Sequence, residues 1–495
     1  MTTTSVGVPF AAAPLDRTAR VPLHQQLYEQ LRSAILSGRL LPGTRLPATR
    51  IMAAQLGVSR NTVQYAFQRL LGEDYIEGKV GSGTHVSSAL SQDILDACAL
   101  QAGARNDKHP TLSLRGAETA SFPRPPAHVR GTLRAFRPTE PAIDLFPFDL
   151  WARIAGRRWR RLPGDAMGYG QPAGDPRLRA AIAGYLQSSR AVKCSAEQVI
   201  VTAGSQQALY LVARLLLDEG DRVLFENPSF WDASAAFRNA GAELIPLPVD
   251  HQGADIARAT EEAGPDARMA YVTPSHQFPL GYTMSLTRRL TLLGWARQAD
   301  AWIFEDDYDS EFRYVGSTLP ALQGLDESGR VLYTGTFSKL LFPGLRLGYL
   351  VVPEDLVDVF SRARELMDHQ PPILDQLVLA DFMEEGHFAR HLRRMRSVYE
   401  KRRSLLVAAL TEVLGDVLNL EPSDAGLRLL AWLPEGWDDQ EVSQLLADAG
   451  VESLAVGTCC WSEPTRPGLL LGFAAADAPA IREGVRIMAS VLKGR

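Results

Sequence analysis

TGTFSKLLFPGLRLGY, residues 334–349, sets one lysine, Lys339, in a turn that is otherwise small, hydroxylated or apolar. The turn follows a strand-like apolar run, RVLYTG, and leads into another, RLGYLVV, with Arg346 between them. The same rhythm recurs upstream. QVIVTAG is followed by SQQALYLVARLLL, RVLFENP by FWDASAAFRNAG, and MAYVTPSHQ by RRLTLLGWARQA, with AELIPLPV and AWIFEDDY as further apolar runs. Apolar strands alternating with amphipathic helices predict an α/β domain with a largely parallel sheet. Ligands in such folds collect beyond the carboxyl ends of the strands.

The chemistry-bearing residues fall at those ends. TAGSQQAL is a strand-to-helix turn in which Gly204, Ser205 and Gln206 can hold a phosphate on helix N-terminal amides. IFEDDYDSEF places Asp306 and Tyr308 where an acid and a phenol leave an apolar strand, while Asp307 and Asp309 read as a surface acidic loop. A lysine among apolar groups and near another cation has a lowered amine pKa, which suits Schiff-base formation with an aldehyde. A phosphate turn, an acid for a pyridinium nitrogen, a phenol for a ring hydroxyl and such a lysine together describe a pyridoxal 5'-phosphate site.

Composition bounds the rest. The chain has 495 residues, 46% hydrophobic and 22% charged, and no apolar run of membrane-spanning length, which predicts two to three soluble domains and no membrane partner. The N-terminal stretch lacks a basic start followed by an apolar segment, so a cytoplasmic location is expected. Cys98, Cys194, Cys459 and Cys460 lack metal-ligand spacing and read as thiols. The net charge of -5 hides an asymmetry: residues 15–90 carry nine Arg or Lys against five acids, +4 net, leaving about -9 for the remainder.

That basic segment opens with VPLHQQLYEQLRSAILSGRL, whose Leu23, Leu27, Leu31 and Ile35, with Ala34, repeat at helical spacing. LPATRIMAAQLGVSRNTVQYAFQRLLGEDYI then reads as two helices about a tight LGVS turn, with Thr49 capping the first and Ser59 the second. Ile51, Ala54, Leu56, Val58, Val63, Ala66, Phe67 and Leu70 are the expected shared core. YIEGKVGSGTHVS alternates like two short strands about a glycine turn, with Lys79 and an exposed His85 alongside. This is a helix-turn-helix with a wing, the second helix opening with short polar and cationic side chains suited to a major groove. Domains are therefore expected at 15–88 and 141–495. Residues 89–140, rich in Pro, Ala, Gly and Arg, are expected to form a linker. Within the larger domain, WARIAGRRWRRL groups Trp151, Ile154, Arg158 and Arg161 on one face, a cationic helix expected to be solvated or to meet another subunit.

Two resemblances carry these readings further. LPATR, LGVSRNTV and GSGTHV in that order resemble the winged helix of GntR-family transcription regulators, over roughly residues 20–88. The resemblance implies DNA contacts by Arg50, Ser59, Arg60, Asn61, Thr62 and Lys79, with Gly83 at the wing tip. YGQPAGDPRLRAAIAGYL, TAGSQQAL, ENPSF, EDDYDSEF and TFSKLLFPGLRLG resemble the fold-type I aminotransferases, which implies an α/β domain with a small C-terminal α+β subdomain. It also implies that Lys339 forms the aldimine, that Asp306 pairs with the pyridine nitrogen, and that Tyr308 bonds the ring hydroxyl. Phe230 would stack on the ring, Ser205, Gln206, Thr336 and Arg346 would hold the phosphate, and Tyr169 would reach a partner subunit's phosphate. The sequence departs from that pattern twice. Phe278 in SHQFPLG stands where asparagine is expected, so that either His276 or Gln277 substitutes or the contact is absent. Arg428 and Arg466 are the candidates for gripping an effector carboxylate, with a salt-bridged surface position as the alternative for each. The two modules in one chain resemble the MocR/GabR-type GntR regulators. That resemblance implies a homodimer in which an amino acid, an amine or a pyridoxal compound acts at the Lys339 aldimine to alter operator binding. A working aminotransferase carrying a DNA-binding domain is the alternative.

Overall fold

The computed structural model describes residues 14–79, 82–90, 112–122, 134–162, 164, 168–264, 266–316, 319–421, 424–461 and 466–494. The chain divides into two compact units, Met1–Ser113 and Leu114–Arg495.

In the smaller unit, α1 (Leu23–Leu36) buries Leu27, Leu31, Ala34 and Ile35, the stripe its spacing predicts. α2 (Thr49–Leu56) and α3 (Arg60–Gly72) follow, then β1 (Ile76–Lys79) pairs antiparallel with β2 (Gly83–Val86). Ser59 caps α3, its Oγ accepting from the Thr62 amide at 3.1 Å. Three local expectations are corrected. Ala48 precedes α2 as its cap with no side-chain bond, so Thr49 is the first helical residue. Met52 and Ala53, not Ile51 and Ala54, are the buried pair: four consecutive apolar residues leave the helix face open to choice, and packing takes the longer Met52 side chain. His85 is buried, 8% exposed, because Arg45 forms a bridge to it and makes a third edge of the wing.

The larger unit is built on eight strands: β3 (Val199–Thr202), β4 (Arg222–Asn227), β5 (Glu243–Asp250), β6 (Gly253–Ala254), β7 (Met269–Val272), β8 (Trp302–Asp307), β9 (Val331–Thr336) and β10 (Gly348–Val351). Their order is β3-β10-β9-β8-β7-β4-β5-β6. β5, β4, β7, β8 and β9 run parallel; β10 is antiparallel to both β9 and β3. β3, β7 and β9 are buried along their whole length, as strands covered by helices on both faces must be. The helix His387–Leu414 leads to a second, antiparallel sheet of β11 (Asn419–Leu420), β12 (Arg428–Trp432), β13 (Leu454–Ala455) and β14 (Gly468–Gly472), in the order β11-β12-β14-β13.

Part of the expected linker belongs to this unit. Residues 91–111 and 123–133 lie outside the described residues, but Leu114–Ser121 is a helix, and Phe136 is buried in a bridge with Gly472. On the cationic helix Phe148–Arg161, Ile154 is buried, and Arg158 pairs with Asp381.

Candidate functional site

A cavity of about 550 Å³ lies beyond the carboxyl ends of the parallel strands. Ser205, Gln206, Phe230, Asp306, Tyr308, Thr336, Lys339 and Arg346 all line it, as does Phe278. They arrive on five connections, after β3, β4, β7, β8 and β9, so only the sheet order makes them neighbours.

At one end, Gly204 turns the chain from β3 into the helix Ser205–Leu216 with φ +102°, a conformation costly for any residue with a side chain. The helix start has no side-chain cap, which leaves its amides and positive dipole end available to an anion. Arg346 stands over this turn, its Nη2 donating to Ala203 O at 2.8 Å. Gln206 Nε2 donates to Asp232 O at 2.9 Å and ties the turn to the next helix, Trp231–Asn239. Thr336 caps the short helix Phe337–Leu340, its Oγ1 accepting from the Ser338 amide at 3.2 Å.

Lys339 projects from that helix, and its Nζ lies 3.3 Å from Thr139 Oγ1. Desolvation holds the amine below the ordinary lysine value, against the pull of Glu140. Asp306, at the end of β8, is buried; its Oδ2 accepts from Tyr271 Oη at 2.9 Å, while Oδ1 has no hydrogen-bond partner among the described residues. Burial lifts its carboxyl to about 7. Asp307 and Asp309, expected in a surface loop, are also buried: Asp307 pairs with Arg190 and Asp309 with His276.

Tyr308 is held on two sides. Its Oη donates to His276 O at 2.8 Å and accepts from Arg428 Nη2 at 2.8 Å. Arg428 is buried, its guanidinium also 4.7 Å from the Phe278 ring centre, so it is neither a surface arginine nor part of the cavity lining. Arg466 is exposed and lies over Trp432, 5.0 Å from the ring centre, away from the lining. His276 supports Tyr308 through its carbonyl and pairs with Asp309 at 2.9 Å; Gln277 donates to Pro228 O at 2.8 Å. Neither side chain lines the cavity, where Phe278 takes that place. Tyr169 is 87% exposed, outside the lining, with its ring 5.3 Å from that of His369.

Sequence reasoning missed Tyr271, Thr273, Thr139 and Ser338, all in the lining. Tyr271 did leave a signal, a single polar tip in the otherwise apolar β7. Thr139 left none, since its place beside Lys339 depends on a φ of +59° and on contacts 200 residues apart.

On the smaller unit, Arg60 and Asn61 are exposed at the start of α3, and Arg50 on α2 is exposed as well. Thr62 is half-buried and shares a 2.9 Å contact with Ser59 Oγ. Tyr65, 62% exposed, and Gln64 extend the polar face of α3, an addition to the sequence reading. Lys79 lies 3.4 Å from Glu77 on β1. Gly83 opens β2 at φ +95°, close to the Arg45 guanidinium.

Comparison with known proteins adds five findings. Residues 23–86 match the family of bacterial regulatory proteins, gntR family, and residues 150–466 match aminotransferase class I and II. The chain is 45% identical to the probable rhizopine catabolism regulatory protein MocR of Rhizobium meliloti, over 96% of this chain and 95% of that protein. It is 31% identical to the HTH-type pyridoxine biosynthesis transcriptional regulator PdxR of Corynebacterium glutamicum, over 96% of each. The structure is similar to Pyrococcus horikoshii kynurenine aminotransferase in complex with PMP, at 25% identity and a TM-score of 0.71, covering 79% of this chain and 98% of that one.

Proposed function

Because the chain belongs to the MocR-type family of GntR regulators, transcription regulators in which a helix-turn-helix domain is fused to an aminotransferase-like domain, we propose that it is a DNA-binding regulator whose larger unit holds pyridoxal 5'-phosphate and senses an amine. The observation that carries the cofactor reading is the orphaned Oδ1 of buried Asp306, facing the same cavity as the Lys339 amine and the uncapped helix start at Ser205. A carboxyl lifted to about 7 by burial regains its charge beside a cation, which is what a protonated ring nitrogen provides. Ser205, Gln206, Thr336 and Arg346 would hold the phosphate, Phe230 would pack on the ring, and Tyr308 would meet the ring hydroxyl. When bound, the cofactor supplies an aldehyde that condenses with primary amines. Lys339, its amine pKa lowered by desolvation, would attach it. An amino acid, amine or pyridoxal compound would be the effector, acting at Lys339.

In the smaller unit, Arg50, Ser59, Arg60, Asn61, Thr62, Lys79 and Gly83 would face a double-stranded operator. Exposure of Arg60 and Asn61 at the start of a capped helix supports this. The working form would be a cytoplasmic homodimer, with Tyr169 serving the partner's cavity. A second reading, turnover as an aminotransferase, is favoured by the complete set of Lys339, Asp306 and Tyr308 in one cavity. Against it, Arg428 and Arg466 both lie outside the lining, so a substrate carboxylate lacks the grip expected of either.

Absorbance of the purified protein with an amine and amino-acid panel separates the two. A near-visible band that one compound shifts without release of oxo acid supports the sensor; a band that bleaches as oxo acid appears identifies an enzyme. Lys339→Ala should lose the band while staying folded, and an unchanged spectrum would remove Lys339 from the site.

A further inference from the structure

Two walls of the cavity come from the stretch of chain between the matched regions, and they are held very differently. Thr139 belongs to a locked segment. Phe136 bridges to Gly472, the Glu452 amide donates to Ala135 O at 2.9 Å, and Arg137 Nη2 meets Glu452 Oε1 at 2.9 Å in a buried ion pair. The other wall is made by Thr119 and Phe122, at the end of the helix Leu114–Ser121.

That helix has no buried residue, and Leu114 is 92% exposed. Its hold is polar: the Thr119 hydroxyl lies 2.8 Å from Asn239 Oδ1 and 2.7 Å from Arg115 O, and Asn239 Nδ2 donates to Tyr210 Oη at 3.0 Å. An eight-residue helix is too short to be stable by itself, and one that buries so little opens at small cost.

We propose that Thr119 and Phe122 form a displaceable wall, and that a ligand extending beyond the cofactor pushes the helix Leu114–Ser121 off Asn239, so that the chain leading toward the winged helix reports occupancy. The inference rests on the cofactor site proposed above and names its regulation. A ligand shifts such an equilibrium only by its differential affinity for the two arrangements, and Phe122, which lines the cavity, would supply that difference by clashing with a ligand longer than the cofactor.

Trypsin cleavage of the full-length protein at Arg115 reads the helix directly, since Arg115 must leave the helix to enter a protease. The probes are pyridoxal 5'-phosphate alone and N-(5'-phosphopyridoxyl)-L-leucine, which joins cofactor to amino acid. Cleavage at Arg115 should be about fivefold faster or more with the adduct than with the cofactor alone, the lower end of ordinary allosteric coupling. Thr119→Val, at an exposed position, keeps the side-chain shape and removes the bond to Asn239; it should be cleaved rapidly with the cofactor alone. Equal rates with both probes in the unaltered protein, or protection of Thr119→Val, would overturn the proposal. Equilibrium dialysis runs alongside: binding with unmoved cleavage sinks the displaceable wall and spares the cofactor site, whereas no binding of either probe sinks both.

Discussion

Asp306 shares the interior of its unit with Glu226, Glu305 and Glu311, and burial lifts all four carboxyls to about 7. All four accept a hydrogen bond: Glu226 from Thr273 Oγ1 at 2.6 Å, Glu305 from the Leu322 amide at 2.7 Å, Glu311 from Tyr185 Oη at 2.8 Å and Asp306 from Tyr271 Oη at 2.9 Å. Asp306 alone among them faces the cavity. The folded protein therefore holds protons that the unfolded chain, with ordinary carboxyls near 4, has already released. Stability from these groups is full below that range and is lost as pH rises through about 7. We expect the cofactor-free protein's melting temperature to fall over that rise, and saturating cofactor to flatten the fall by pairing Asp306 with a cation. Asp306→Asn should reduce the slope and weaken cofactor retention by ~tenfold or more, the ordinary worth of an opposite charge beside a buried carboxylate; titration calorimetry measures the second effect. Equal affinity in the variant would remove Asp306 from the cofactor's contacts.

The turns between elements set the next level. Gly204 needs φ +102°, and a Cβ there would lie 3.3 Å from Arg346 Nη2. Backbone strain of this kind costs about 1–3 kcal/mol. Gly204→Ala should accordingly lower cofactor occupancy after dialysis without loss of the sheet, and undiminished occupancy would show that the anion sits elsewhere. On the smaller unit, Ser59→Ala removes the α3 cap and should cost about 1 kcal/mol of that unit's stability. Arg60→Ala should leave stability alone, weaken operator binding and reduce its salt slope by about 1. An unchanged slope would take Arg60 off the DNA. These elements were legible because their cues are local: a serine before a helix, a glycine after a strand, leucines at helical spacing. The buried face of α2 was not legible, because Ile51, Met52, Ala53 and Ala54 offer packing an unbroken apolar arc.

For the molecule as a whole, an effector that alters operator affinity must itself bind differently when DNA is present, by the same factor. Tyr169 tests assembly. It is 87% exposed and outside the lining of its own subunit's cavity. If a second copy uses it, Tyr169→Phe should lower cofactor affinity, and mixing it with Lys339→Ala chains should restore affinity in half of the mixed dimers' sites. No change in affinity would leave Tyr169 without a role in the cofactor site. Pattern and motif in the sequence alone determined the two modules, the alternating strands and helices, and the residues waiting at strand ends, since each depends on neighbours a few positions away. Only the tertiary structure decided that Arg428 is buried behind Tyr308, that Tyr271 answers Asp306, and that Thr119, Phe122 and Thr139 wall the cavity. Those pairings join residues that the chain separates widely, and no local pattern records which side chains a folded sheet brings face to face.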